Sequence, residues 1–119
     1  MSKPEQNQAG RSERVEMRFL EALRGRCPKN GRILEALGEL YTKSGRYEDG
    51  LDIDLELTRI NPREAVAWYN LGCSYMKAGR QTEAVAALKR AIRINPAYEH
   101  ARLALGTVAH CLGHLLRIP

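Results

Sequence analysis

The sequence predicts an all-α fold, a short solenoid of about six helices stacked as helix-turn-helix units. Three observations carry this. First, sliding the 119-residue chain against itself by 34 positions puts Leu37-Gly38 on Leu71-Gly72, Tyr41 on Tyr75, Lys43 on Lys77, Gly45-Arg46 on Gly79-Arg80 and Asn61-Pro62 on Asn95-Pro96. The same shift carries Pro62 back to Pro28, and Gly72 and Gly79 forward to Gly106 and Gly113. A period of this size marks supersecondary units that bury their apolar faces only by stacking. Second, residues 51–57 alternate apolar and acidic, Leu51, Ile53, Leu55 and Leu57 against Asp52, Asp54 and Glu56, which alone reads as a half-buried strand. On a helical wheel, however, Glu48, Asp49, Asp52, Glu56 and Arg59 gather in one arc, and Tyr47, Leu51, Ile53, Leu55, Leu57 and Ile60 fill the rest. That is a helix packed on both flanks. Third, 44% apolar and 28% charged residues are the balance of a globular domain able to bury a core.

The elements follow in order. Residues 1–11 are polar and predict a disordered tail. Residues 12–26 predict a helix that occupies the place of a second helix of a unit, ending in register at Pro28. Helices at 31–44 and 47–60 form the next unit, and 65–77 and 81–94 the one after. In that pair Gly72 lacks the Cβ that would hold the partner helix away, and Gly79 permits the left-handed backbone that ends the first helix. Ala84 and Ala91 keep the interface tight, and Pro96 stops the second helix. A last helix at 98–112 begins a further unit, after which only HLLRIP remains. One residue departs from this pattern: Asp54 lies in the middle of an apolar arc, so it is predicted to be largely buried and hydrogen-bonded. Tyr41, Tyr75 and the Trp68 indole are the candidate donors.

Composition excludes several classes. No segment approaches the roughly 20 apolar residues of a membrane span, and the polar N-terminus does not read as a signal peptide, so the expected compartment is the cytoplasm. Cys27, Cys73 and Cys111 are widely spaced without CxxC, which predicts reduced thiols rather than disulfides or a zinc ribbon. The net charge of +5 is unevenly spread: residues 31–64 carry five basic and eight acidic side chains, residues 65–98 five and one. With no Lys/Arg run and no aromatic interleaving, nucleic-acid binding is not predicted.

The segment AVAWYNLGCSYMKAGRQTEAVAALKRAIRINP places Trp68, Leu71, Gly72, Tyr75, Gly79, Ala84, Leu88, Ala91 and Pro96 at the positions of a known motif. It resembles the tetratricopeptide repeat, a helix-turn-helix unit of about 34 residues. The unit before it keeps Leu37, Gly38, Tyr41, Gly45 and Pro62 but has Leu34 at the Trp position, Gly50 at the first small-residue position and Asp54 where a large apolar residue is usual. The resemblance implies a right-handed solenoid over residues 12–119, with a half-repeat at 12–28, a divergent repeat at 31–64, a consensus-like repeat at 65–98 and a truncated repeat at 99–119.

It also implies function: a non-enzymatic interaction module that holds a peptide or partner protein in the concave groove of its first helices. The positions matching that groove are Arg32, Glu35, Glu39, Thr42 and Lys43, then Tyr69, Asn70, Cys73, Met76 and Lys77, then His100, Leu103, Thr107 and His110. Some family members clamp the C-terminal carboxylate of heat-shock chaperones with Lys, Asn and Arg at such sites. Here Glu35 and Glu39 stand in place of the first Lys and Asn, His100 and Ala104 in place of the later cations, and Asn70 alone matches. A chaperone-tail clamp is not predicted, because two carboxylates repel a third. No catalytic residues, cofactor or metal are predicted. His110 and His114 have the i, i+4 spacing of a helical metal pair but lack an HExxH context and read as surface histidines. Cys73 reads as small apolar filler. The alternative function is a scaffold that self-associates through its uncapped C-terminal helix, most simply as a homodimer, with Leu103, Leu105, Val108 and Leu112 as the contact.

Overall fold

A computed structural model describes the backbone of residues 4–116 and the side chains of residues 10–110. The described residues form six helices: α1 (Pro4–Arg26), α2 (Gly31–Lys43), α3 (Tyr47–Ile60), α4 (Ala65–Lys77), α5 (Gln81–Ile94) and α6 (Glu99–Leu116). No strand occurs among the described residues, and residues 51–57 are helical despite their alternation. Each helix packs on its chain neighbours, and α4 also touches α6, so the helices form a stack of antiparallel hairpins.

The turns explain the boundaries. Asn30 caps α2 with its side-chain oxygen, which accepts from the backbone N–H groups of Arg32 (3.0 Å) and Ile33 (3.2 Å). Gly45 and Gly79 have φ of 77° and 79°, the left-handed conformation that closes α2 and α4. After Gly79 the Arg80 N–H returns to the Tyr75 carbonyl at 2.8 Å, and Arg46 does the same to Tyr41 at 2.8 Å. The two repeat turns are therefore copies in hydrogen bonding as well as in sequence.

Two ends differ from expectation. The helix α1 starts at Pro4, so the tail expected over residues 1–11 is corrected for residues 4–11, while residues 1–3 lie outside the described residues. Proline suits a first helical turn, where its missing N–H has no partner in any case, and EQNQA after it contains good helix formers. At the other end α6 continues to Leu116, through Gly113, where the register of Gly45 and Gly79 predicts a turn.

The core is distributed along the stack. Met17, Leu34, Leu37, Leu40, Tyr41, Ile53 and Leu57 join α1, α2 and α3. Leu51, Leu71 and Ala87 join α3, α4 and α5. Leu88, Ala91, Ala101 and Val108 join α5 to α6, with Trp68 and Met76 of α4 packed against them. Each helix contacts mainly its neighbours, so stability is built unit by unit. The close approach within a pair is extreme at Gly72, where a Cβ would lie 2.7 Å from Cγ of Leu88.

Candidate functional site

Helices α2 and α4 each run antiparallel to α3, so they run alongside one another, and a groove of about 550 Å³ lies between them. Its walls are Glu35, Glu39, Thr42 and Lys43 from α2 and Val66, Asn70, Cys73 and Lys77 from α4, with Gly38 beside them. Its floor is α3, which contributes Asp54 and Leu57, and Ser74 stands next to Asp54. The i, i+3, i+4, i+7 spacing of these side chains puts them on one helix face.

The groove is graded in charge. Glu35 lies in the first half of α2 and Glu39 just past its middle, while Lys43 and Lys77 occupy the last turns of α2 and α4. Asp54 lies half-buried between them. Burial pushes its carboxyl above the ordinary value, while the Ser74 hydroxyl that donates to it and the nearby Lys77 pull it down. Burial also raises the Cys73 thiol, against Tyr69 and Lys77, so Cys73 is held as a thiol rather than as a nucleophilic thiolate.

Of the expected groove positions, Glu35, Glu39, Thr42, Lys43, Asn70, Cys73 and Lys77 come together here. Arg32 is exposed outside this lining. Tyr69 instead stacks on the start of α6, its ring 5.2 Å from Tyr98 and 6.2 Å from His100. Its side-chain hydrogen bond with Cys73, and then burial, push its phenol up to about 12. Met76 is half-buried against the α5–α6 core. Tyr69 and Met76 are thus taken out of the groove lining by the approach of α6, and Asn70 stays in it. In the third unit, Leu103 is 66% exposed and lines a shallow cleft with Ala97, Glu99 and Arg102. Thr107 and His110 are exposed, and the Thr107 hydroxyl donates to the Leu103 carbonyl at 3.1 Å.

Asp54 and Ser74 were absent from the groove positions implied by resemblance. The signal for Asp54 was its misplacement in an apolar arc, and its partner is Ser74 rather than the expected tyrosine or tryptophan. The Tyr41 hydroxyl donates to Glu21 of α1, and the Trp68 indole N–H donates to the Pro62 carbonyl at 2.8 Å beneath the Arg90 guanidinium.

The expected self-association stripe also separates. Val108 is 2% exposed inside the core and is removed from it. Leu105 is half-buried, Leu103 is exposed in the register of Glu35 and Tyr69, and the side chain of Leu112 lies outside the described residues, as do those of Cys111 and His114. Among the described residues no three His, Cys, Asp or Glu side chains converge as metal ligands, and no helix is long and apolar enough to cross a membrane.

A family model described as the tetratricopeptide repeat matches residues 65–98. A peroxisomal targeting signal receptor of Saccharomyces cerevisiae is 24% identical over 111 residues, covering 87% of this chain and 18% of that protein. Its Candida albicans counterpart is 31% identical over 70 residues, covering 59% and 12%. The chain therefore spans less than a fifth of the length of these relatives. Among solved structures, one of MamA superposes with a TM-score of 0.79 at 25% identity, covering 95% of this chain and 66% of that one. A second MamA structure gives 0.78 at 25% identity, covering 92% and 60%.

Proposed function

Since this chain is a tetratricopeptide-repeat protein and, as such, a protein–protein interaction module, we propose that it binds an extended segment of a partner protein in the groove between α2 and α4. The observation that carries this reading is the convergence of seven family groove positions on one cavity of about 550 Å³. The lining suits a peptide: Asn70, Thr42 and Ser74 can satisfy backbone amides, and Leu57 and Val66 offer apolar contact. The charge gradient sets a direction, with acidic groups or a chain-terminal carboxylate of the ligand at Lys43 and Lys77, and basic groups at Glu35 and Glu39. The name of the yeast relatives, as receptors of a targeting signal, supports the same class of ligand. Binding requires no catalytic group, and the chain is read as non-enzymatic.

An immobilised peptide array probed with the purified chain tests this. Wild type is expected to select peptides with a basic residue several positions before an acidic one. The double charge reversal Lys43→Glu with Lys77→Glu is expected to lose that set. Equal binding of the same peptides by both proteins would overturn the reading.

A second reading, self-association through α6, is supported by Gly106, whose Cβ direction meets no described atom within 4 Å outside its own helix, and by the half-exposed Leu105 beside it.

A further inference from the structure

Within each helix pair, a glycine of the first helix receives a residue of the second. A Cβ on Gly38 would lie 3.3 Å from Cγ2 of Ile53, and one on Gly72 would lie 2.7 Å from Cγ of Leu88. Leu37 and Leu71, which precede these glycines, are sealed at 0% and 2% exposure. Gly106 is the next glycine in the series, thirty-four positions after Gly72, and no described atom outside its own helix approaches its Cβ direction. Leu105 keeps the exposure that Leu37 and Leu71 have lost. The surface of α6 around Gly106 thus has the form of a receiving face, and no described helix packs its side chains into it.

The donor face stands at the other end of the stack. Helix α1 runs into Cys27-Pro28 in the register of Asn61-Pro62 and Asn95-Pro96, which close α3 and α5. It is therefore a second helix in register. Phe19 lies thirty-four positions before Ile53, and Leu20 twice that before Leu88, the two residues that fill Gly38 and Gly72. Leu20 is half-buried against the α1–α3 core, but Phe19 is 62% exposed and Val15, one turn earlier, 63%. Two large apolar side chains on one helical face, open to solvent, mark an interaction surface.

Deepening the self-association reading above, we propose that a second copy of this chain seats its α1 on α6, so that α6 and the incoming α1 make a composite helix pair like α2–α3 and α4–α5. Phe19 of one copy fills the space at Gly106 of the next. Glu16 occupies the register of Gly50, whose Cβ direction points at Oγ1 of Thr42 at 3.3 Å, and the register partner of Thr42 in α6 is His110. The carboxylate of Glu16 therefore arrives beside an imidazole. Being larger than Gly50 or Ala84, it also holds the composite pair further apart at that turn than the two pairs within a chain. Because the two faces differ, the contact is head-to-tail and copies add in one direction, rather than closing as a two-fold dimer.

Light scattering on the 119-residue chain across a concentration series tests this. The weight-average mass is expected to climb past that of a dimer of 13.4 kDa chains. Phe19→Glu and Gly106→Leu are each expected to be monomeric. An equimolar mixture of the two is expected to form a dimer, because one retains the α6 face and the other the α1 face. Circular dichroism melts confirm folding, and Val15→Glu repeats the α1 arm should Phe19→Glu melt early. A wild type that is monomeric at concentrations on the order of 100 µM would overturn self-association altogether. Phe19→Glu that still pairs by itself, or a mixture that stays monomeric, would overturn the head-to-tail geometry while leaving association through α6 standing.

Discussion

The carboxylate of Asp54 on α3 accepts a hydrogen bond from the hydroxyl of Ser74 on α4, across the boundary between two repeat units. It joins the floor of the groove to one wall. The residue stands where the family pattern calls for a large apolar side chain, and Leu88 holds the equivalent place in the next unit, wholly buried. Exchanging that apolar contact for a half-buried charge sacrifices stability at a position that lines the groove, a pattern associated with binding sites.

The ionised form of Asp54 is disfavoured by burial, so its folded pKa lies above its ordinary 3.8. The folded chain then takes up a proton more readily than the unfolded one, and the cost of the charge appears as pH rises from the ordinary carboxylate value through the folded one. Asp54→Asn is expected to melt higher than wild type at neutral pH, with the difference closing on acidification. Ser74→Ala removes a charge-assisted bond and is expected to cost about 1.5–3 kcal/mol near neutrality. Thermal melts of the three proteins across pH check both.

Gly72→Ala drives a Cβ into Leu88 at 2.7 Å, a contact no side chain tolerates without movement. A loss of about 1–3 kcal/mol is expected in urea unfolding. Gly38→Ala, where the nearest atom is a methyl group of Ile53 at 3.3 Å, is expected to lose less.

At Gly79 the cost has another origin. No described atom beyond its chain neighbours lies within 4 Å of a Cβ there, but φ is 79°. Gly79→Ala is expected to lose about 1 kcal/mol through the backbone alone, and Gly79→Asn, which tolerates the left-handed region, less. Comparing their denaturation midpoints separates backbone strain from crowding.

Helix α1 is tied to α2 by the hydrogen bond from the Tyr41 hydroxyl to Glu21, and burial with that bond pushes the phenol to about 12. The Arg46 guanidinium lies 4.7 Å over the same ring and donates to the Met17 sulfur at 3.0 Å. Tyr41→Phe is expected to cost about 1 kcal/mol and to release α1 first. Hydrogen exchange should then quicken in α1 while α4 and α5 remain protected.

Periodicity was sufficient where a residue's role depends on its own helix. The helical state of residues 47–60, the turns at Gly45 and Gly79, and the closings at Asn61-Pro62 and Asn95-Pro96 follow from spacing along one element, while the groove positions of Glu35, Glu39, Lys43, Asn70, Cys73 and Lys77 were implied by the family resemblance. Spacing was insufficient wherever a second helix decides exposure. Tyr69 and Asn70 are adjacent on α4, yet Asn70 lines the groove and Tyr69 stacks on Tyr98, a difference made by where α6 lands.

What the sequence by itself determined is the repeat, its register and the faces it creates, because backbone geometry and the placement of Gly, Pro and apolar residues are local properties that recur every thirty-four positions. What only the tertiary structure decided is which of those faces meet. Whether Asp54 pairs with Ser74 or with a tyrosine, whether Val108 lies in a stripe or in the core, and whether Gly106 receives a side chain as Gly38 and Gly72 do depend on distances between helices remote in sequence. Those distances are set by packing of whole side chains at close contact, where a shift of a few tenths of an ångström separates contact from clash.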